Sequence, residues 1–395
     1  MNEFKPVNIL VTGGAGFIGC NYVRYMLAID ADVRIVNLDM LTYAGSLDNL
    51  KNLPGEVNPP GDILCSKQHS PNGDQVNCET REYPLEEARS GELRSKRVSP
   101  GGEGALGCES RHTFVQGDIC DRELVERLLR EYHIDTIVHF AAESHVDNSI
   151  SGPEVFVKTN VMGTFTLLEA ARQYWLEEAG LAHNSCRFHH ISTDEVYGTL
   201  SKTDPAFSEN TPYAPNSPYS ASKAGSDHLV RAYFHTYGLP VTTSNCSNNY
   251  GPYQHNEKLI PTIIRSCIKQ TPIPVYGDGS NIRDWLYVED HCAGIDAVIR
   301  KGKPGEVYNI GGINEWANID IVRCICALMD EMSGESGIRN HESLIAFVTD
   351  RPGHDWRYAI DATKMGQELA WEPAETFETG IRKTVAWYLD READG

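Results

Sequence analysis

The 395-residue chain has no apolar run near the roughly 20 residues that cross a bilayer, which excludes a membrane-spanning helix. Its first residues, MNEFKPVNILVTGG, lack a basic segment followed by a separate apolar one, so no secretory signal is expected. Cations are scarce: 35 Lys and Arg stand against 55 Asp and Glu, a net charge of −20. Such a surface repels a phosphate backbone, which argues against nucleic acid as a partner. The eleven cysteines include no CxxC pair and no Cys/His ligand spacing, so no metal site is expected. Unpaired thiols fit a reducing, cytoplasmic setting. Aromatic residues nearly vanish between about 54 and 111, where Tyr83 stands alone among glycines, prolines and charges. That stretch has little to bury and is expected to be a long loop or low-complexity insertion.

Elsewhere the pattern is regular. Apolar, β-branched runs at 7–12, 33–39, 112–115, 136–142 and 187–192 read as strands. Helical patterns at 17–29, 122–132, 154–175 and 217–237 separate or follow them. Alternating strands and helices predict an α/β fold, a Rossmann-like parallel sheet with helices on both faces. Beyond Tyr250 the segments shorten and gain Gly and Pro. This predicts residues 1–250 as a nucleotide-binding domain and 251–395 as a smaller C-terminal substrate domain.

Gly13, Gly16 and Gly19 sit between the first strand and the first helix, spaced G-x-x-G-x-x-G, with Phe17 and Ile18 between the last two. Glycines there let the backbone approach a pyrophosphate, and the helix N-terminus favours its charge. Asp39, about 20 residues on, ends the second strand where a ribose hydroxyl can be bound, which favours NAD over NADP. Asp118 and Ile119 follow the third of these strands, beside the expected adenine. Tyr219 and Lys223 lie one helical turn apart on one face. An ordinary tyrosine with a pKa near ~10 is a poor base at neutral pH. Neighbouring positive charge from Lys223 and an oxidised nicotinamide favours the phenolate, a base for a hydroxyl proton. Thr193, Asp194 and Glu195 follow the fifth strand, where open α/β sheets place catalytic groups. Two adjacent carboxyls suit a water elimination, one removing a proton and the other protonating the leaving hydroxyl.

The segments TGGAGFIG, HFAAESHVDNSI, STDEVYG, YSASK, NNYGPYQHNEKLIP, RDWLYVEDH and RPGHDWRY together resemble the dTDP-glucose 4,6-dehydratases of the extended short-chain dehydrogenase/reductase family. The likeness spans nearly the whole chain except about 54–111. It implies NAD as cofactor, dTDP-glucose as substrate, the return of later segments such as Arg283–Arg300 to the first domain, and a homodimer paired through the helices at 154–175 and 217–237. By the same likeness Tyr219 takes the C4 hydroxyl proton, Glu195 takes the C5 proton and Asp194 protonates the C6 hydroxyl. Thr42, Ala141 and Thr159 match cofactor positions. Ser144, Thr193 and Asn248 match positions around the sugar. Lys258, Arg283, Asn318, Arg351 and His354 match positions around the nucleotide and diphosphate, and His145, Leu259, Pro274 and Tyr276 match further substrate-binding positions. Related epimerases carry small or hydroxyl residues where Asp194 and Glu195 stand, which argues against a 4-epimerase. A UDP-sugar dehydratase is left open, since one methyl group separates thymine from uracil. A non-catalytic NAD-binding regulator would not need Asp194, Glu195, Tyr219 and Lys223 together.

Overall fold

The computed structural model describes residues 3–55, 64–65, 110–332, 340–350 and 354–393. Most of the aromatic-poor stretch at 54–111, and Arg351, lie outside the described residues. In chain order the strands are β1 (Asn8–Thr12), β2 (Arg34–Asp39), β3 (Leu64–Cys65), β4 (His112–Gln116), β5 (Thr136–His139), β6 (Arg187–Thr193), β7 (Val241–Cys246), β8 (Asn248–Tyr250), β9 (Ile273–Tyr276), β10 (Ile282–Tyr287), β11 (Val307–Ile310), β12 (Glu315–Ala317) and β13 (Ile345–Val348).

Eight of these form one sheet in the order β11-β7-β6-β5-β1-β2-β4-β3, with every neighbouring pair parallel. Its strands are apolar on both faces because helices cover both. Ile9 and Val11 join the cluster under helices Phe17–Ile29 and Val288–Lys301, with Tyr22, Met26 and Ile295. Leu10 points the other way, toward Leu124, Leu128 and Leu167. This alternation is the strand's period of two. The chain leaves β1 toward β2 on one side, and β5 takes its place on the other side of β1. That reversal of strand order opens a crevice at the carboxyl edge.

Helix Arg122–Glu131 begins at Asp121, whose carboxylate accepts the Leu124 N–H at 3.1 Å. Helix Pro218–Tyr237 opens on a capping box between Ser217 and Ser220 and ends at Gly238, in the left-handed region at φ +71°. The expected helix at 154–175 differs from a plain α-helix. It runs as Pro153–Phe156, wide π-turns at Val157–Gly163, α-helix Thr164–Ala171 and further π-turns at Arg172–Glu178. The Asn160 carbonyl inside the first π segment accepts the hydroxyls of Thr164 at 2.6 Å and Ser226 at 2.7 Å. Hydroxyls competing for a mid-helix carbonyl widen the turn locally.

A second layer carries the mixed sheet β12-β10-β8 and the parallel pair β13-β9. Helices Leu259–Lys269, Asn318–Met332 and Phe377–Ala393 cover them over a core of Tyr250, Ile263, Trp285, Ile325 and Phe377.

Candidate active site

A cleft of about 440 Å³ opens at the carboxyl edge where β1 and β5 part. Gly13 leaves β1 at φ +73°, and a Cβ there would stand 2.7 Å from the Ala141 nitrogen. A Cβ on Gly19 would stand 2.3 Å from the Gly13 carbonyl oxygen. Only glycine permits these approaches. Helix Phe17–Ile29 starts without a side-chain cap and without an acidic residue in its first turn. Its free N–H groups and positive dipole end therefore face the cleft, which suits an anion. Asp39 is buried, and its two oxygens accept the N–H groups of Ala15 at 2.9 Å and Leu41 at 2.7 Å. Burial raises its carboxyl above the ordinary range despite these two bonds. Each oxygen keeps a lone pair, so the side chain both fastens the glycine loop and can accept a ribose hydroxyl. Phe17, Ile18, Thr42, Asp118, Ile119, Ala141 and Thr159 line the same cleft. A cradle that a Cβ would fill, an uncapped helix start and a buried acceptor together fit NAD.

Tyr219 and Lys223 project from helix Pro218–Tyr237 into the other half of the cleft, beside Thr193 and Glu195. The Lys223 ammonium donates to the Ile191 carbonyl at 2.7 Å. Burial lowers the Lys223 pKa, and the Asp227 charge opposes that shift. Burial and then the Glu195 charge raise the Tyr219 phenol, while a hydrogen bond with Thr193 opposes them. The protein by itself thus keeps the Tyr219 proton in place. The phenolate expected from sequence needs further positive charge in the cleft.

β6 ends at Thr193, and a single 3₁₀ turn, Asp194–Tyr197, follows. The Thr193 hydroxyl accepts the Glu195 N–H at 3.3 Å and lies 3.3 Å from Asp194 Oδ1. Asp194 is buried just behind the cleft wall, and among the described residues its Oδ2 has no partner. Burial, then the Glu195 and Asp284 charges, hold its carboxyl well above the usual range; Arg283 and Thr193 oppose them. Glu195 lines the cleft itself.

Ser144, Asn248 and Lys258 also reach the cleft. The Lys258 ammonium donates to the Ser144 carbonyl at 3.4 Å, and Asn248 Oδ1 is buried without a partner among the described residues. His145 stands beside it, capping helix Val146–Ser151 through Nδ1 with Nε2 3.7 Å from Glu257. The remaining candidates lie off the cleft lining, in the second layer. Arg283 is buried, donates to the Asp355 carbonyl at 2.9 Å and stacks 4.4 Å over Tyr358. Pro274 and Tyr276 occupy the outward face of β9, and the Tyr276 ring lies 6.4 Å from His354. His354 Nδ1 pairs with Asp350 at 2.7 Å. Asn318 and Leu259 begin their helices, and Asn318 Oδ1 is buried without a partner among the described residues.

Sequence reasoning missed Asn160. Its amide accepts the Glu143 N–H at 2.8 Å and donates to the Glu143 carbonyl at 3.0 Å and to Ser222 at 2.8 Å, tying the cleft wall to the Tyr219 helix. An asparagine in mid-helix, where it is a poor helix former, was the available signal. Tyr43, Glu143, Lys158, Gln254 and His255 also line the cleft without having been singled out.

A family model described as GDP-mannose 4,6 dehydratase matches residues 91–384. A dTDP-glucose 4,6-dehydratase of Xanthomonas campestris pv. campestris is 51% identical over 380 residues, covering 96% of this chain and 92% of the relative. One of Neisseria meningitidis serogroup B is 49% identical over 384 residues, covering 97% and 93%. Among solved structures, the dTDP-glucose 4,6-dehydratase of Bacillus anthracis in complex with NAD is 42% identical with a TM-score of 0.74, covering 98% of each chain. That of Streptomyces venezuelae, also with NAD bound, is 39% identical with a TM-score of 0.75 over 98% of each chain.

Proposed function

The chain belongs to the dTDP-glucose 4,6-dehydratase family, and from that premise we propose that it converts dTDP-glucose to dTDP-4-dehydro-6-deoxy-glucose and water with NAD as cofactor. Bound NAD supplies the two-electron acceptor for C4 and the two-electron donor for C6.

The chain's own residues move the protons. Tyr219, polarised by Thr193 and Lys223, takes the C4 hydroxyl proton as C4 is oxidised. The new ketone acidifies C5, and Glu195, which lines the cleft, takes that proton. Asp194 gives its proton to the C6 hydroxyl, which leaves as water. Glu195 then returns a proton to C5 while C6 is reduced, and proton exchange with solvent takes the proton from Tyr219 and restores one to Asp194. One observation carries this reading: of two adjacent carboxyls Asp194 is buried behind the cleft wall, where burial favours its protonated form, while Glu195 lines the cleft.

Asp39 and the glycine loop would hold the cofactor; Ser144, Asn248 and Lys258 the sugar and diphosphate. Arg283, Asn318, Tyr276 and His354, in the second layer, are proposed for the nucleotide. The division into 1–250 and 251–395 assigns cofactor and nucleotide sugar to separate domains. The late segments of the second contribute β11 and helix Val288–Lys301 to the first. Exposed Val155, Val157, Met162 and Phe165 support pairing of two copies through the helices around 153–178 and 218–237. Among the described residues no helix is long and apolar enough to cross a membrane, and a cytoplasmic setting is proposed. Offering dTDP-, UDP- and CDP-glucose and GDP-mannose in turn tests the substrate. Product lighter by one water should form fastest from dTDP-glucose, and preference for another nucleotide would overturn the assignment.

A further inference from the structure

Beneath the cleft floor, Asp227 is a carboxylate that the steps above do not use. It lies one helical turn beyond Lys223 and is buried. Its Oδ2 accepts the Ser192 hydroxyl at 2.8 Å, its Oδ1 stands 3.1 Å from His190 Nε2, and the Tyr213 phenol hydrogen-bonds to it. The Lys223 amine is held by the carbonyl of Ile191, between those two β6 residues. Amine and carboxylate are thus pinned to two consecutive residues of one strand, Ile191 and Ser192.

A buried carboxylate persists only with compensating charge and hydrogen bonds. The titratable groups facing Asp227 are Lys223 and the exposed His228 on its own helix, His190 on β6, and the Tyr213 and Tyr197 phenols. His139 on β5 lies behind His190, with ring centroids 5.3 Å apart. Burial first, and then neighbouring charge, keep both imidazoles neutral. Among the described residues, Lys223 is therefore the buried cation that faces this carboxylate. A buried amine without such a counter-charge sheds its proton and no longer favours a neighbouring phenolate.

We propose that Asp227 is a positioning residue of the oxidation step, holding Lys223 in its charged, Ile191-bound form so that Tyr219 can take the C4 hydroxyl proton. The inference rests on the roles given above to Tyr219 and Lys223. It predicts that the alkaline limb of the oxidation rate, where Lys223 loses its proton, depends on Asp227.

The test uses NAD-loaded enzyme and dTDP-xylose, a sugar with a C4 hydroxyl but no C6, so that reaction stops at the ketone. The near-ultraviolet absorbance of reduced NAD then reads oxidation alone. Asp227→Asn should keep its NAD content and circular dichroism. It should oxidise about tenfold or more slowly at neutral pH, with the alkaline limb moved down by about one pH unit or more. Ser192→Ala keeps the charge but frees the carboxylate, and should move the limb the same way by less. It also decides the matter should Asp227→Asn not fold. Limbs that superimpose on that of the unaltered enzyme would overturn the proposal. Failure of the unaltered enzyme to reduce NAD with dTDP-xylose would instead overturn the roles of Tyr219 and Lys223.

Discussion

Asp194 and Glu195 are neighbours in the chain with different surroundings: Asp194 is 2% exposed behind the cleft wall, while Glu195 is half-buried and lines the cleft. The 3₁₀ turn that starts as β6 ends rotates successive side chains by about 120°, which separates them. Burial and then the Glu195 charge hold the Asp194 carboxyl well above the usual carboxylate range. That suits Asp194 to the part of a general acid.

Replacing either carboxyl should spare oxidation and stop elimination. With dTDP-glucose, Asp194→Asn and Glu195→Gln should accumulate reduced NAD on the enzyme and release product about 10²- to 10⁴-fold more slowly. Rapid-scan absorbance with product mass measurement checks this. Variants blocked before NAD reduction would show that the pair has been misassigned.

Asp194 should also cost stability. Its folded pKa lies above its unfolded value, about 3.9, so ionisation favours unfolding once the pH passes that value. Asp194→Asn should therefore melt like the parent at about pH 3 and gain on it as the pH rises to 7, by about 1–3 kcal/mol. A variant less stable than the parent at pH 7 would contradict the burial argument.

Tyr219→Phe keeps the ring and removes the proton acceptor. Oxidation of C4 should slow by about 10² or more while NAD content stays unchanged. Reduced-NAD formation at the parent's rate would exclude Tyr219 as the base.

Gly19→Ala would place a methyl group 2.3 Å from the Gly13 carbonyl oxygen, so the loop must shift. The variant should purify folded but depleted of NAD, as cofactor extracted per mole of protein will show. Full NAD content would mean that the close approach is not what holds the pyrophosphate.

The parallel strands were legible because burial on both faces leaves an unbroken apolar run, as in Ile9-Leu10-Val11, and the glycines after β1 mark its edge. Helix Arg122–Glu131 was legible from its helical pattern, while its cap at Asp121 came from the structure. The π-turns at Val157–Gly163 were not, because the Asn160 carbonyl there also answers to Ser226, sixty-six residues away in the chain. The cofactor candidates are local to strand ends, so their meeting on one cleft follows from strand order. Arg283, Tyr276 and His354 depend on how β9, β10 and β13 stack, which no local pattern encodes.

The most direct test of the dehydratase reading follows one atom. NAD-loaded enzyme is given dTDP-glucose deuterated at C4, and the product is examined by mass and NMR. The expected product is lighter by one water and carries the deuterium at C6, with NAD back in its oxidised form. A product of unchanged formula, with deuterium still at C4 and the hydroxyl there inverted, would contradict it.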